Sequence, residues 1–217
     1  MRSRTSTHPR WAAYACAACC SVAALAHPAT PVRSLLEIRQ HKVVMQQWDI
    51  SCGAAALATL LRYHLGDPVT ETDVARGMLR TTDALRVRTR GGFSLLDMKR
   101  YARGRGFEAE GYTGLTLDDA RRLAPLIVPM HIANYDHFVV LRGIAGGDAL
   151  IADPAFGNRR IALAAFQSLW HRKRLGFVVK GSGGTNDLQP RSDDFVAVDP
   201  RTIGVAIAAP TPASSLR

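Results

Sequence analysis

The sequence predicts an α+β fold, on three observations. Helical signals crowd the first half of the core, short β runs fill the second half, and the breaks between runs carry Gly, Pro, Asn and Asp. Helices first and an antiparallel sheet afterwards imply a helical lobe packed on a sheet, with a cleft between the two.

Each element has its own signal. Residues 33–41 suit a short helix, which leads through Val43-Val44-Met45 to Gln46. Cys52 to His64 reads as a helix that starts with small residues, Gly53 to Ala56, and continues with an apolar face at Leu57, Leu60 and Leu61. Ser51 stands where an N-cap belongs. Gly66-Asp67-Pro68 breaks the chain, and Thr70 with Asp73 three residues on opens a further helix to Leu79. After Gly91-Gly92, Ser94 caps a helix that Gly106 stops. The β runs are Glu108–Tyr112, Leu126–Ile132, His137–Arg142, Ala149–Asp153, Arg159–Ala162 and Gly176–Val179, with helical pieces near 116–123 and 163–170.

The 217 residues divide into three expected parts. Residues 1–26 carry Arg2, Arg4 and Arg10, then an apolar run to Ala26 that ends in Ala24-Leu25-Ala26; this is the layout of a secretory signal peptide, too short for a comfortable membrane span. Residues 27–180 form the folded domain. Residues 181–217 open with Gly181-Ser182-Gly183-Gly184 and are rich in Pro, Ala and Ser, which reads as a flexible linker and tail outside the core. The expected location is therefore periplasmic or secreted; an uncleaved anchor, or a lipoprotein modified at Cys19 or Cys20, is the alternative.

Signal removal would take Cys16, Cys19 and Cys20 and leave Cys52 alone. An exported chain with one cysteine has no internal disulfide partner, so the thiol points to chemistry. The net charge is +10, yet the basic residues are scattered and no nucleic-acid motif accompanies them, so no nucleic-acid partner is expected. His41, His64, His131 and His171 lack metal-ligand spacing, and neither metal nor cofactor is expected.

Cys52 at a helix start sits where partial positive charge favours thiolate and free N–H groups can meet an oxyanion, and Gln46 lies six residues upstream as a candidate oxyanion-hole side chain. His137 begins one β run and Asp153 ends the next. If the connecting loop centres near Ala145, the two face each other across an antiparallel pair, where Cβ atoms are roughly 5 Å apart. A cysteine nucleophile needs such a histidine to take the thiol proton and later protonate the leaving amine, and a carboxylate to fix the imidazole. Each residue alone has an ordinary explanation: a buried inert thiol, a structural histidine, an Asp-Pro turn. Phe156, Phe166 and Trp170 are expected to be core aromatics, although Phe156 follows Asp153 closely enough to border the cleft.

These segments, Gln46 to Leu61, His137-Phe138-Val139-Val140-Leu141 and Ala152-Asp153-Pro154-Ala155-Phe156-Gly157-Asn158, resemble the C39 family of papain-like cysteine peptidases over about residues 40–180. The resemblance implies a papain-like fold with Cys52 as nucleophile, His137 as base, Asp153 as orienting acid and Gln46 as oxyanion donor. Gln47 falls outside the family spacing. Well-known members cut leader peptides after Gly-Gly while fused to exporters; this chain carries no transporter segment and looks more like stand-alone exported members. The implied function is an exported cysteine endopeptidase acting on an envelope or secreted protein, after small residues such as Gly-Gly. A non-catalytic peptide-binding assembly factor, or a cysteine-dependent amidase or acyltransferase, is the alternative.

Overall fold

A computed structural model of the chain describes residues 33–132, 135–191 and 194–195. The expected signal segment, and residues 196–217 of the expected tail, lie outside the described residues.

Five helices precede the first strand: α1 (Leu35–Gln40), α2 (Cys52–His64), α3 (Glu71–Leu79), α4 (Ala84–Arg90) and α5 (Leu95–Gly104). The strands are β1 (Glu108–Tyr112), β2 (Leu126–Ile132), β3 (Tyr135–Ala145), β4 (Asp148–Asp153), β5 (Gly157–Ala162) and β6 (Gly176–Lys180), interrupted by α6 (Leu117–Leu123) and α7 (Leu163–Leu169). They form one antiparallel sheet in the order β1-β6-β2-β3-β4-β5. This is the α+β arrangement expected from the sequence.

Local signals account for most helix starts. Thr70 with Asp73, Ser94 with Asp97, and Thr116 with Asp119 make reciprocal capping boxes for α3, α5 and α6. Ser51 behaves differently: its hydroxyl donates to the Trp48 carbonyl at 2.6 Å and makes no cap to α2. The first turn of α2 thus lacks both a side-chain cap and an acidic residue.

α2 is buried from Cys52 through Leu61, and its run of alanines lets the backbone lie close to its neighbours. At Gly53 a Cβ would come within 2.6 Å of the Met98 side chain and 3.4 Å of Phe138, so only glycine fits beside the cysteine without repacking. The sheet is covered on both faces. On β3, Phe138 and Val140 join the cluster built around α2, whereas Val139 and Leu141 pack with Ile151 and Phe166 on the other side. That is why β2 and β3 read as continuous apolar runs.

Among the described residues after β6, 181–191 and 194–195, the structure corrects the expectation of a segment outside the core. Leu188 and Asp194 are fully buried, and Phe195 nearly so. The anchor is Arg142 on β3, whose side chain is fully buried. Its guanidinium donates to the Leu188 carbonyl (2.9 Å), to Asn158 (2.9 Å) and to Asp194 (2.5 Å). Asp194 in turn accepts from His41 at 2.8 Å, if that nitrogen carries its proton. A buried guanidinium requires such partners, and the stretch whose composition suggested a linker supplies three of them, the third being the Gln189 carbonyl at 3.4 Å.

Candidate active site

Gln46 and Cys52 flank a short loop held from several directions. The Gln46 backbone N–H donates to the Pro154 carbonyl at 2.8 Å. The Gln47 N–H donates to both carboxylate oxygens of Glu71 on α3, at 3.0 and 3.1 Å, and Glu71 is buried. The Gln46 side-chain amide donates to the Trp48 carbonyl at 3.1 Å, while its Oε1 is buried with no hydrogen-bond partner among the described residues. That bond fixes which way the amide nitrogen points and leaves its second N–H available.

His137 and Asp153 meet as expected, by a different register. The β3–β4 pairs run from Ala145↔Asp148 to Val140↔Ala152 with an irregularity between Leu141 and Gly143. Continued one residue, the register sets Asp153 across from Val139, so His137 is its diagonal neighbour on the same face rather than its direct partner. The imidazole has the length to span that diagonal: His137 Nε2 lies 2.7 Å from Asp153 Oδ1, and both residues are buried. With Nε2 committed to the carboxylate, Nδ1 is the ring nitrogen left for Cys52.

Asp153 makes the contacts of a turn residue besides its bond to His137. Its Oδ1 accepts the backbone N–H groups of Ala155 (2.9 Å) and Phe156 (3.3 Å), as an Asp that initiates a turn does. Its Oδ2 accepts from Arg159 Nη1 at 3.1 Å. Arg159 also lies over the ring of Phe156, 5.1 Å from its centroid, and Phe156 is exposed rather than in the core; Phe166 and Trp170 are buried.

The electrostatics follow from these contacts. Burial favours the neutral Cys52 thiol, but hydrogen bonds from His137 and Tyr135 outweigh it and bring the pKa below that of an ordinary thiol. Burial likewise disfavours imidazolium, yet the Asp153 carboxylate and Cys52 push His137 up to about 9. Burial opposes ionisation of Asp153 too, and the His137 bond overrides it and holds the carboxyl below its usual range. The contacts thus all act in one sense, toward thiolate on Cys52, imidazolium on His137 and carboxylate on Asp153. Such a set can attack a carbonyl carbon and then hand a proton to a leaving amine.

Cys52 opens into a cleft of about 440 Å³ lined also by Gly91, Gly92, Phe93, Pro129 and Tyr135. Sequence reasoning missed Tyr135, whose hydroxyl is 3.2 Å from Cys52 Sγ. It missed Glu71 and Arg159 as well. A tyrosine two residues before the candidate histidine was the one signal within reach.

The fold, with a buried cysteine opening α2, is that of a cysteine peptidase with a papain-like α+β architecture. Residues 40–180 match the model of the peptidase C39 family, and the chain belongs to that family. It is 42% identical over 169 residues to the probable functional amyloid protease FapD of Pseudomonas aeruginosa, covering 74% of each chain. It is 41% identical over 157 residues to the FapD of Pseudomonas fluorescens, covering 70% of this chain and 66% of that one. Among solved structures, a double glycine motif protease from an AMS/PCAT transporter in complex with the leader peptide has a TM-score of 0.54 at 28% identity, covering 64% of this chain and 91% of that chain.

Proposed function

We propose that this protein is an exported endopeptidase that cuts a component of a functional amyloid system, with Cys52 as nucleophile, His137 as proton carrier, Asp153 as orienting carboxylate and Gln46 as oxyanion donor. The observation that carries this reading is the contact line from Asp153 through His137 to Cys52 at an uncapped helix N-terminus. The thiolate adds to the scissile carbonyl, whose oxygen takes the negative charge and is met by the free N–H of Gln46 and the amides opening α2. Collapse of the adduct breaks the C–N bond as His137 gives its Nδ1 proton to the departing amine. Water, deprotonated by His137, then releases the acyl group from sulfur.

The substrate class rests on the FapD relatives' names, and cleavage after Gly-Gly or similarly small residues on the likeness to a double glycine motif protease. Export rests on the signal-like residues 1–26; no helix among the described residues is long and apolar enough to cross a membrane. The test is to incubate secreted and envelope proteins of the source cell with wild type and with Cys52→Ala, and to sequence new N-termini. Wild type should generate them and the variant should not. Equal processing by Cys52→Ala would remove the peptidase reading and leave a binding or assembly role.

A further inference from the structure

Tyr135 Oη stands 3.2 Å from Cys52 Sγ, and the contact is not an accident of a loose side chain. Tyr135 opens β3, two residues before His137, and its partner across the sheet is Ile132. Its ring lies against Gly91, where an added Cβ would be 3.6 Å from the ring edge. At Gly92, φ is +148° and an added Cβ would meet the Ile50 carbonyl at 3.1 Å and the tyrosine hydroxyl at 3.9 Å. A side chain there would be strained and crowd the loop before Cys52, so the glycine pair leaves the ring room to reach the sulfur.

From this geometry we propose that Tyr135 is a catalytic residue: its hydroxyl donates to the Cys52 thiolate and, with His137, holds the sulfur as the anion before substrate binds. The sulfur of a thiolate carries no proton, so the hydroxyl is the donor. Burial and the neighbouring Cys52 raise the phenol well above its ordinary pKa, and Asp136 and Asp49 push the same way, so the proton stays on oxygen through the working range. Arg90 and His131 line the same cleft, but Arg90 is committed to Asp97 and His131 to Asp136. The hydrogen bond is strongest to the free thiolate and weakens once sulfur bonds to the acyl carbon. Tyr135 therefore sets how much thiolate is present and how reactive it is.

The test is the pH dependence of Cys52 alkylation by iodoacetamide in the full chain, followed by peptide mass spectrometry so that Cys16, Cys19 and Cys20 are counted separately. Removing one donor from a thiolate is expected to raise its pKa by about one unit, because the hydrogen bond stabilises only the charged form and sulfur is a weak acceptor. In Tyr135→Phe the acidic limb should move up, lowering the rate about threefold there, a roughly tenfold loss of thiolate partly offset by the higher nucleophilicity of what remains. The plateau rate should rise about threefold, because thiolate nucleophilicity grows with basicity. A merely structural role would not slow one limb while speeding the plateau. Tyr135→Leu, a second side chain lacking the hydroxyl, should move both in the same directions.

The proposal rests on Cys52 being the nucleophile, and the two can fail separately. An ordinary free-thiol profile in wild type would contradict the nucleophile itself. A displaced wild-type profile that neither variant changes would overturn the role of Tyr135 alone.

Discussion

The backbone N–H of Gln46 donates to the carbonyl of Pro154 at 2.8 Å. Through this bond the loop entering α2 is fixed to the turn that leaves β4, one residue beyond Asp153. Gln46 and Cys52 come from the helical lobe, His137 and Asp153 from the sheet, so the bond joins the two halves of the site at one point. Glu71 holds the other side of the same loop.

Glu71→Ala removes the acceptor of the Gln47 N–H and leaves that donor to find water, while Gln46 itself is untouched. Activity should fall by at least tenfold with the fold intact. Gln46→Ala should cost about 10²–10³ in kcat, the range for loss of one oxyanion donor. Steady-state kinetics on a cleaved peptide checks both, and a Glu71→Ala enzyme at full rate would show that the loop needs no such support.

Asp153→Asn keeps the size of the side chain and the turn acceptor but offers the imidazole an amide in place of a charge. His137 loses its imidazolium stabilisation and its fixed tautomer, and turnover should drop by about 10⁴, as when a triad carboxylate becomes an amide. Arg159, left without its anion, is half-exposed and can turn to water. The circular dichroism spectrum should therefore match wild type.

Much of this was legible in the chain. Capping boxes and Gly or Pro breaks marked the helices, and the β runs fell within a few residues of their observed ends, because each signal is local. The 84–90 helix escaped notice: Asp83 caps it, but its Arg-rich sequence shows no apolar face and only Val87 is buried. The offset between His137 and Asp153 was also hidden: the hairpin turns at Gly146-Gly147, past Ala145, and the irregularity at Arg142, which no residue type announces, takes back one residue of that shift. The tail was misjudged for the opposite reason. Its composition is that of a linker, and only a long-range partner, the buried Arg142, gives Leu188 and Asp194 a place in the core.

Asp194→Ala tests that anchor. It leaves Arg142 buried without its carboxylate and His41 without an acceptor, and removing one partner of a buried pair costs about 3–5 kcal/mol. Denaturant unfolding should show a loss of this size. A loss under about 1 kcal/mol would mean that the segment beyond β6 contributes little to the fold.

The titration of His137 bears most directly on the central claim, that Cys52 and His137 rest as an ion pair. Its pKa lies near 9 against 6.5 for the free side chain. Because the folded value is raised, the stabilisation it provides is complete below about pH 6.5 and is lost as pH rises through about 9. The measurement is the NMR chemical shift of the His137 ring against pH, in wild type and in Cys52→Ala. The account predicts an imidazolium that persists past pH 8 in wild type and titrates lower once the sulfur is gone; a midpoint near 6.5 in wild type, unchanged by Cys52→Ala, would contradict it.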